Sequence, residues 1–161
     1  MEQVEEGVVG IITNHAWLDN PTFKGMRKAL MKTFNQIYVY DLHGNAHKQE
    51  RVPGGGQDEN VFDIEQGVAI SLFVRRPSSN EGVWHADLWG KRIAKYKAMA
   101  DAAKDSVPWT RLHPAAPDWV FKPRNTNLAL KYRKFWSLPA VFAPLGDPAP
   151  GVVTTHDEFA I

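Results

Sequence analysis

The chain has 161 residues, 43% of them hydrophobic, which is enough to bury one sizeable core and excludes a disordered composition. A formal net charge of +1 announces neither nucleic acid nor a membrane, and the lack of cysteine excludes disulfides and thiolate metal sites and fits a reducing, cytoplasmic setting. The longest apolar run, residues 67–74, falls far short of the roughly 20 residues that span a bilayer, and residues 1–7 are acidic rather than a signal peptide.

Taken in chain order, Val8-Val9-Gly10-Ile11-Ile12 shows no polar alternation, so it reads as a central strand buried on both faces. Asn20-Pro21 supplies an N-cap with proline at the first helical position, and Phe23, Met26, Leu30 and Phe34 recur at helical spacing, which predicts a helix over 21–34. Its cationic side, with Lys24, Arg27, Lys28 and Lys32, reads as a solvated face. Ile37-Tyr38-Val39-Tyr40-Asp41-Leu42 and residues 67–74 are two further strand-like runs, separated by a polar loop that contains Pro53-Gly54-Gly55-Gly56. Strand, helix, strand, loop, strand is the latter part of a doubly wound α/β sheet. A complete sheet of that kind needs more strands, and these are expected upstream of Met1.

Composition changes near Pro77. Nine of the eleven prolines and five of the six tryptophans lie from there onward, and the formal charge passes from about −2 in 1–77 to about +3 in 78–161. Two domains are expected, 1–77 carrying the sheet and 78–161 forming a helical, turn-rich connector. A helix is predicted over 91–104 with an apolar stripe of Ile93, Tyr96, Met99 or Ala100, and Ala103. Extended, turn-rich chain should follow over 107–123, then a short helix over 127–135 and a short strand at 152–154. Between 122 and 136, Lys122, Arg124, Lys131, Arg133 and Lys134 occur with Tyr132, Phe135 and Trp136 and without one acidic residue. Such a mixture can neutralise phosphates and stack bases; equally, its aromatics can anchor the segment on a core while the cations stay wet.

Other titratable groups carry less. His43 and His47 are four apart beside Asp41, a spacing that shares one face only on a helix, and this segment reads as loop; solvated histidines and no metal site are expected. His85 with Asp87, His113, and His156 with Asp157 lack any nucleophile in a suitable context and are assigned no catalysis. Glu5-Glu6 and Asp58-Glu59 read as solvated charge.

The ordered words Gly7-Val8-Val9-Gly10-Ile11-Ile12-Thr13-Asn14-His15-Ala16-Trp17-Leu18, Phe23-Lys24-Gly25-Met26-Arg27, Ile37-Tyr38-Val39-Tyr40-Asp41-Leu42-His43-Gly44-Asn45, Asp58-Glu59-Asn60-Val61-Phe62-Asp63-Ile64 and Gly67-Val68-Ala69-Ile70 resemble adenine-specific DNA methyltransferases. The likeness is to the strands and helix after the catalytic motif in large single-chain restriction-modification enzymes. It extends more loosely to His85-Ala86-Asp87-Leu88-Trp89-Gly90-Lys91-Arg92 with Lys95-Tyr96. The resemblance implies a partial Rossmann-like methyltransferase sheet. It also implies transfer of a methyl group from S-adenosylmethionine to an adenine flipped out of double-stranded DNA.

Neither the glycine-rich cofactor turn nor the Asn/Asp-Pro-Pro-Tyr/Phe segment of that family occurs in these 161 residues. No catalytic and no cofactor-binding residue is therefore expected here, and the cofactor and the N-terminal half belong to the complete enzyme. The resemblance assigns Phe62 to packing against the extruded base. Asn14, His15 and Trp17 fall where the first strand ends, the edge at which doubly wound sheets place ligands, although a tryptophan there more often packs and Asn14 can satisfy its own turn. Two rival readings remain: a non-enzymatic nucleic-acid-binding module, and an interaction domain that completes its sheet with a partner chain or by self-association.

Overall fold

A computed structural model of the chain describes residues 5–76, 80–103, 106–125, 128, 131–132, 134–135 and 141. Two compact units are formed, Met1–Pro123 and Arg124–Ile161. The first holds strands β1 (Gly7–Asn14), β2 (Gln36–His43), β3 (Val68–Arg75), β4 (Gly82–Asp87) and β5 (Thr110–Leu112), with helices α1 (Lys24–Thr33) and α2 (Arg92–Ala100). In the second, 128, 131 and 132 are helical, within the helix predicted over 127–135. The strand expected at 152–154 lies outside the described residues.

The five strands make one open sheet in the order β1-β3-β2-β4-β5. Strand β3 runs antiparallel to β1 and β2, β4 runs parallel to β2, and β5 is antiparallel to β4. This is a mixed α/β architecture with a partial Rossmann-like sheet, and α1 is its crossover helix. Because β1, β2 and β4 all point the same way, their carboxyl ends share one edge, where residues 14–15, 43–45 and 87–90 gather.

The expected succession of strand, helix, strand, loop and strand is found. Strand β1, however, is not central. It lies at the sheet edge with Val8, Val9, Ile11 and Ile12 exposed, Val8 to 67% and Ile12 to 56%. Its apolar pattern demands neighbours on both sides, and among the described residues only β3 supplies one. Strands β4 and β5 were not legible: Gly82–Asp87 mixes polar and aromatic residues, and Thr110–Leu112 is three residues long among prolines. The compositional break at Pro77 thus falls inside the sheet.

The core comprises Trp17, Leu18, Ile37, Val39, Ala69, Phe73, Val83 and Phe121, with Leu30, Met31 and Phe34 of the α1 region packed on it. Asn20 caps as expected, its Oδ1 accepting from the Thr22 amide at 2.9 Å, although Pro21–Phe23 forms a 3-10 turn before α1 begins. The solvated face expected of α1 fails at Arg27, which is fully buried. Its guanidinium donates to the carbonyls of Trp17, Asn20, Asp118 and Trp119, tying the chain after β5 to the β1–α1 connection. Helix α2 also departs from its predicted stripe: Ile93 is 82% exposed, whereas Lys95 is fully buried.

Candidate functional site

At the carboxyl edge the end of β2 is distorted. A bulge shifts the register between Asp41 and His43, and His43 adopts a positive φ of 54°, a conformation sparsely populated by residues other than glycine. Both side chains are buried there, which a carboxylate tolerates only with partners. Asp41 Oδ1 takes hydrogen bonds from His15 Nδ1 at 2.8 Å and from the His43 amide at 3.1 Å, and Lys122 Nζ lies 2.9 Å from Oδ2. Burial alone would raise the Asp41 pKa; the His15 hydrogen bond and the Lys122 ammonium outweigh it and hold the carboxyl well below the usual range.

His15 enters from the turn after β1, its amide held by the Gly67 carbonyl at 2.9 Å. A Cβ on Gly67 would come within 2.4 Å of the imidazole, so glycine is needed for His15 to pack. The Nε2 atom of His15 faces the Asn45 amide at 3.4 Å. His43 donates from Nε2 to Asp87 Oδ1 at the end of β4, 2.7 Å away, and stacks on Trp89. Burial opposes its charging, but Asp87, Glu50 and Asp41 together win, and His43 titrates above the ordinary histidine range. His85, two positions before the end of β4, is buried with neither ring nitrogen hydrogen-bonded among the described residues, and burial lowers its pKa.

A second cluster locks the long β2–β3 loop onto α2. Asp58 accepts from the Gly44 and Gly90 amides, both at 2.7 Å, and pairs with Lys95 at 2.8 Å, both side chains fully buried. Asp58 is therefore structural rather than solvated. Lys95 also donates to the Leu42 and Glu59 carbonyls. Arg92 donates to the Asn60 and Phe62 carbonyls and to Asp63, and the Tyr96 hydroxyl donates to the Val61 carbonyl. The Asp58-Glu59-Asn60-Val61-Phe62-Asp63 segment and the start of α2 thus form one unit despite being some thirty residues apart in sequence.

Phe62 has its backbone fixed by this clamp and by Asn60, whose Oδ1 accepts from the Phe62 amide at 2.9 Å, while the residue remains 44% exposed. Asn14 caps its own turn through the Ala16 amide at 2.7 Å. Trp17 belongs to the core, packed on Phe73 and Phe121 with its indole donating to Thr13 Oγ1. The residue of that turn aimed into the cluster is His15. Lys122, expected on the outside, turns inward to Asp41. Arg124, Lys131 and Lys134 are exposed, as are Tyr132 and Phe135; Arg133 lies outside the described residues.

His43, expected to be a solvated loop residue, is buried, and sequence reasoning missed it together with Asp41, Asp87 and Lys95. One signal was available: Asp41 interrupts the largely apolar run of residues 37–42, and a charge at such a position requires partners from elsewhere in the fold.

No protein-family model matches this sequence, and no curated protein matches it. Among solved structures, it is similar to part of the DrdV–DNA complex determined by cryo-EM, with a TM-score of 0.63, 26% identity and 77% of this chain covered. It is similar also to a nuclease-deletion mutant of the Type ISP restriction-modification enzyme LlaGI in complex with a DNA substrate mimic, with a TM-score of 0.64, 24% identity and 79% of this chain covered. A third likeness is to the ATP-dependent Type ISP restriction-modification enzyme LlaBIII bound to DNA, with a TM-score of 0.57, 22% identity and 78% of this chain covered. The chain spans 12%, 12% and 9% of those three proteins, and it shares its fold with a segment of DrdV and of the two Type ISP restriction-modification enzymes, all three determined in complex with DNA or a DNA mimic.

Proposed function

We propose that this chain is the distal part of an S-adenosylmethionine-dependent DNA adenine methyltransferase of the restriction-modification kind, and that it does not transfer methyl groups by itself. The observation that carries the reading is β1, an apolar strand with no polar alternation that occupies an edge and leaves Val8, Val9, Ile11 and Ile12 exposed. Beside it an apolar hollow of about 400 Å³ lies between Ile11, Trp17, Phe23, Met26 and Phe73. Further strands and a covering helix would bury both. The ordered resemblance and the DNA complexes with which the fold is shared point the same way.

On this reading double-stranded DNA is the partner of the complete enzyme, the cofactor is bound by strands outside this chain, and Phe62 packs against the extruded adenine. Isothermal calorimetry of the 161-residue chain with S-adenosylmethionine is expected to give no specific heat. A tight one-to-one complex would overturn the claim that the cofactor is held elsewhere.

A second reading, direct nucleic-acid binding by the basic segment, is favoured by one observation. Lys131, Lys134, Tyr132 and Phe135 are all exposed, the last two to 77% and 73%.

A further inference from the structure

We propose that His15, His43 and Glu50 form a binding site for one divalent transition-metal ion of the zinc class at the carboxyl edge of the sheet. One ligand atom from each of the three residues lies within 4.8 Å of the others. Two imidazoles and one carboxylate are a donor set that zinc accepts, with a fourth position left to water. The proposal stands on this chain's own residues and is independent of the methyltransferase reading.

The stronger argument is what holds the two imidazoles. A histidine that binds a metal through one ring nitrogen almost always donates its other N–H to a carboxylate or carbonyl, which fixes the tautomer and aims the lone pair. Both histidines are arranged in that way. His15 gives Nδ1 to Asp41 at 2.8 Å, leaving Nε2 as an acceptor faced by the Asn45 amide at a long 3.4 Å, and His43 gives Nε2 to Asp87 at 2.7 Å, leaving Nδ1. His43 Nδ1 is buried with no hydrogen-bond partner among the described residues, and Glu50 Oε2 stands 3.8 Å from it. In the neutral tautomer that donation to Asp87 sets, this buried acceptor is costly, and a cation there satisfies it in place of the proton that the neighbouring carboxylates otherwise favour.

Geometry and charge agree. Tetrahedral bonds of about 2.0–2.1 Å put ligand atoms about 3.3 Å apart, so the Nδ1–Oε2 gap needs to close by only about half an ångström. Glu50 is half-buried on the loop, and since its Oε2 accepts from the Asn45 amide at 2.9 Å, the movement has to keep that bond or pass it to the second carboxylate oxygen. With neutral imidazoles, Asp41, Glu50 and Asp87 against Lys122 leave two negative charges, which a dication balances. An open cleft of about 360 Å³ lined by Asn45, Glu50, Gln57 and Asn60 adjoins the Glu50 side of the cluster. The alternative set of Asp41, His43 and Asp87 would require His43 to surrender its Asp87 hydrogen bond, and is not favoured.

The test is titration of chelator-treated full chain with zinc alone, followed by calorimetry, and with cobalt(II), followed by visible absorption. One zinc per chain is expected, weakened at least tenfold by Glu50→Gln and unaffected by His47→Ala, which removes the exposed His47–Glu65 pair. Cobalt should give the intense visible bands of four-coordination, lost in Glu50→Gln. Because Glu50 lies outside the core, this variant should fold. A direct readout on the unaltered chain is histidine ¹⁵N resonance, where zinc should move Nε2 of His15 and Nδ1 of His43. Absence of zinc binding by a chain with native circular dichroism overturns the proposal, as does binding that ignores Glu50→Gln or depends on His47.

Discussion

Both ring nitrogens of buried His85 lack a hydrogen-bond partner among the described residues, and the consequence is a dependence of stability on pH. Burial depresses its pKa below the ordinary 6.5, with Asp87 and Asp41 opposing this and Lys122 and His43 adding to it. The imidazole is therefore neutral in the fold and protonated more readily in the unfolded chain. Its contribution is intact above about pH 6.5 and is lost as the pH falls toward the depressed folded value, with a slope of up to about 1.4 kcal/mol per pH unit. His43, whose pKa is raised, works in the opposite sense, so the effect is isolated by comparison. Melting curves between pH 7.5 and 5.5 should show His85→Gln losing less stability on acidification than the parent, and equal losses would refute the assignment. Phe62 carries the other prediction at this scale. In the complete enzyme, Phe62→Ala should weaken capture of the extruded adenine by about 1–3 kcal/mol, the worth of one aromatic–base stack, and change duplex affinity less. A fluorescent base analogue reports extrusion directly, and unchanged extrusion would remove Phe62 from the site.

Among the elements, β1 is where pattern and environment disagree most. A strand read from its own residues as buried on both faces is exposed because burial depends on neighbouring strands. Ile12 pairs with Ile70 of β3 yet stays 56% exposed. Ile12→Lys should therefore alter the folding stability of this chain by no more than about 0.5 kcal/mol, as for ordinary surface positions, while reducing any self-association through the free edge. Urea unfolding and light scattering measure the two effects. A loss of several kcal/mol would mean that β1 is covered in solution. Helix α2 teaches the complementary lesson: its apolar spacing pointed to Ile93 and Tyr96, but the buried position is Lys95, because Asp58 and the carbonyls of Leu42 and Glu59 wait there for an ammonium. Spacing locates a face; it does not reveal which polar groups another segment presents to it.

For the whole molecule, the decisive contrast is between a near-neutral chain and an exposed basic, aromatic segment. If Lys131 and Lys134 neutralise phosphates, replacing both with Gln should reduce the dependence of log K on log salt by about two for duplex DNA, with little change in fold. An unchanged slope would return those lysines to the role of solvated surface. Among the described residues, no helix is long and apolar enough to cross a membrane. The sequence by itself determined the α/β class, the succession of β1, α1, β2 and β3, and the turn chemistry at Asn20-Pro21, because these follow from local periodicity and backbone preference. It also joined the words around Asp58 and Lys91 in one resemblance, without the reason. Tertiary structure alone decided that β1 is an edge, that β4 and β5 extend the sheet beyond Pro77, and that Arg27, Asp58 and Lys95 are interior. It alone brought His15, Asp41, His43, Glu50, Asp87 and Lys122 together, since burial and ion pairing are properties of distant segments meeting, which no spacing along one chain encodes.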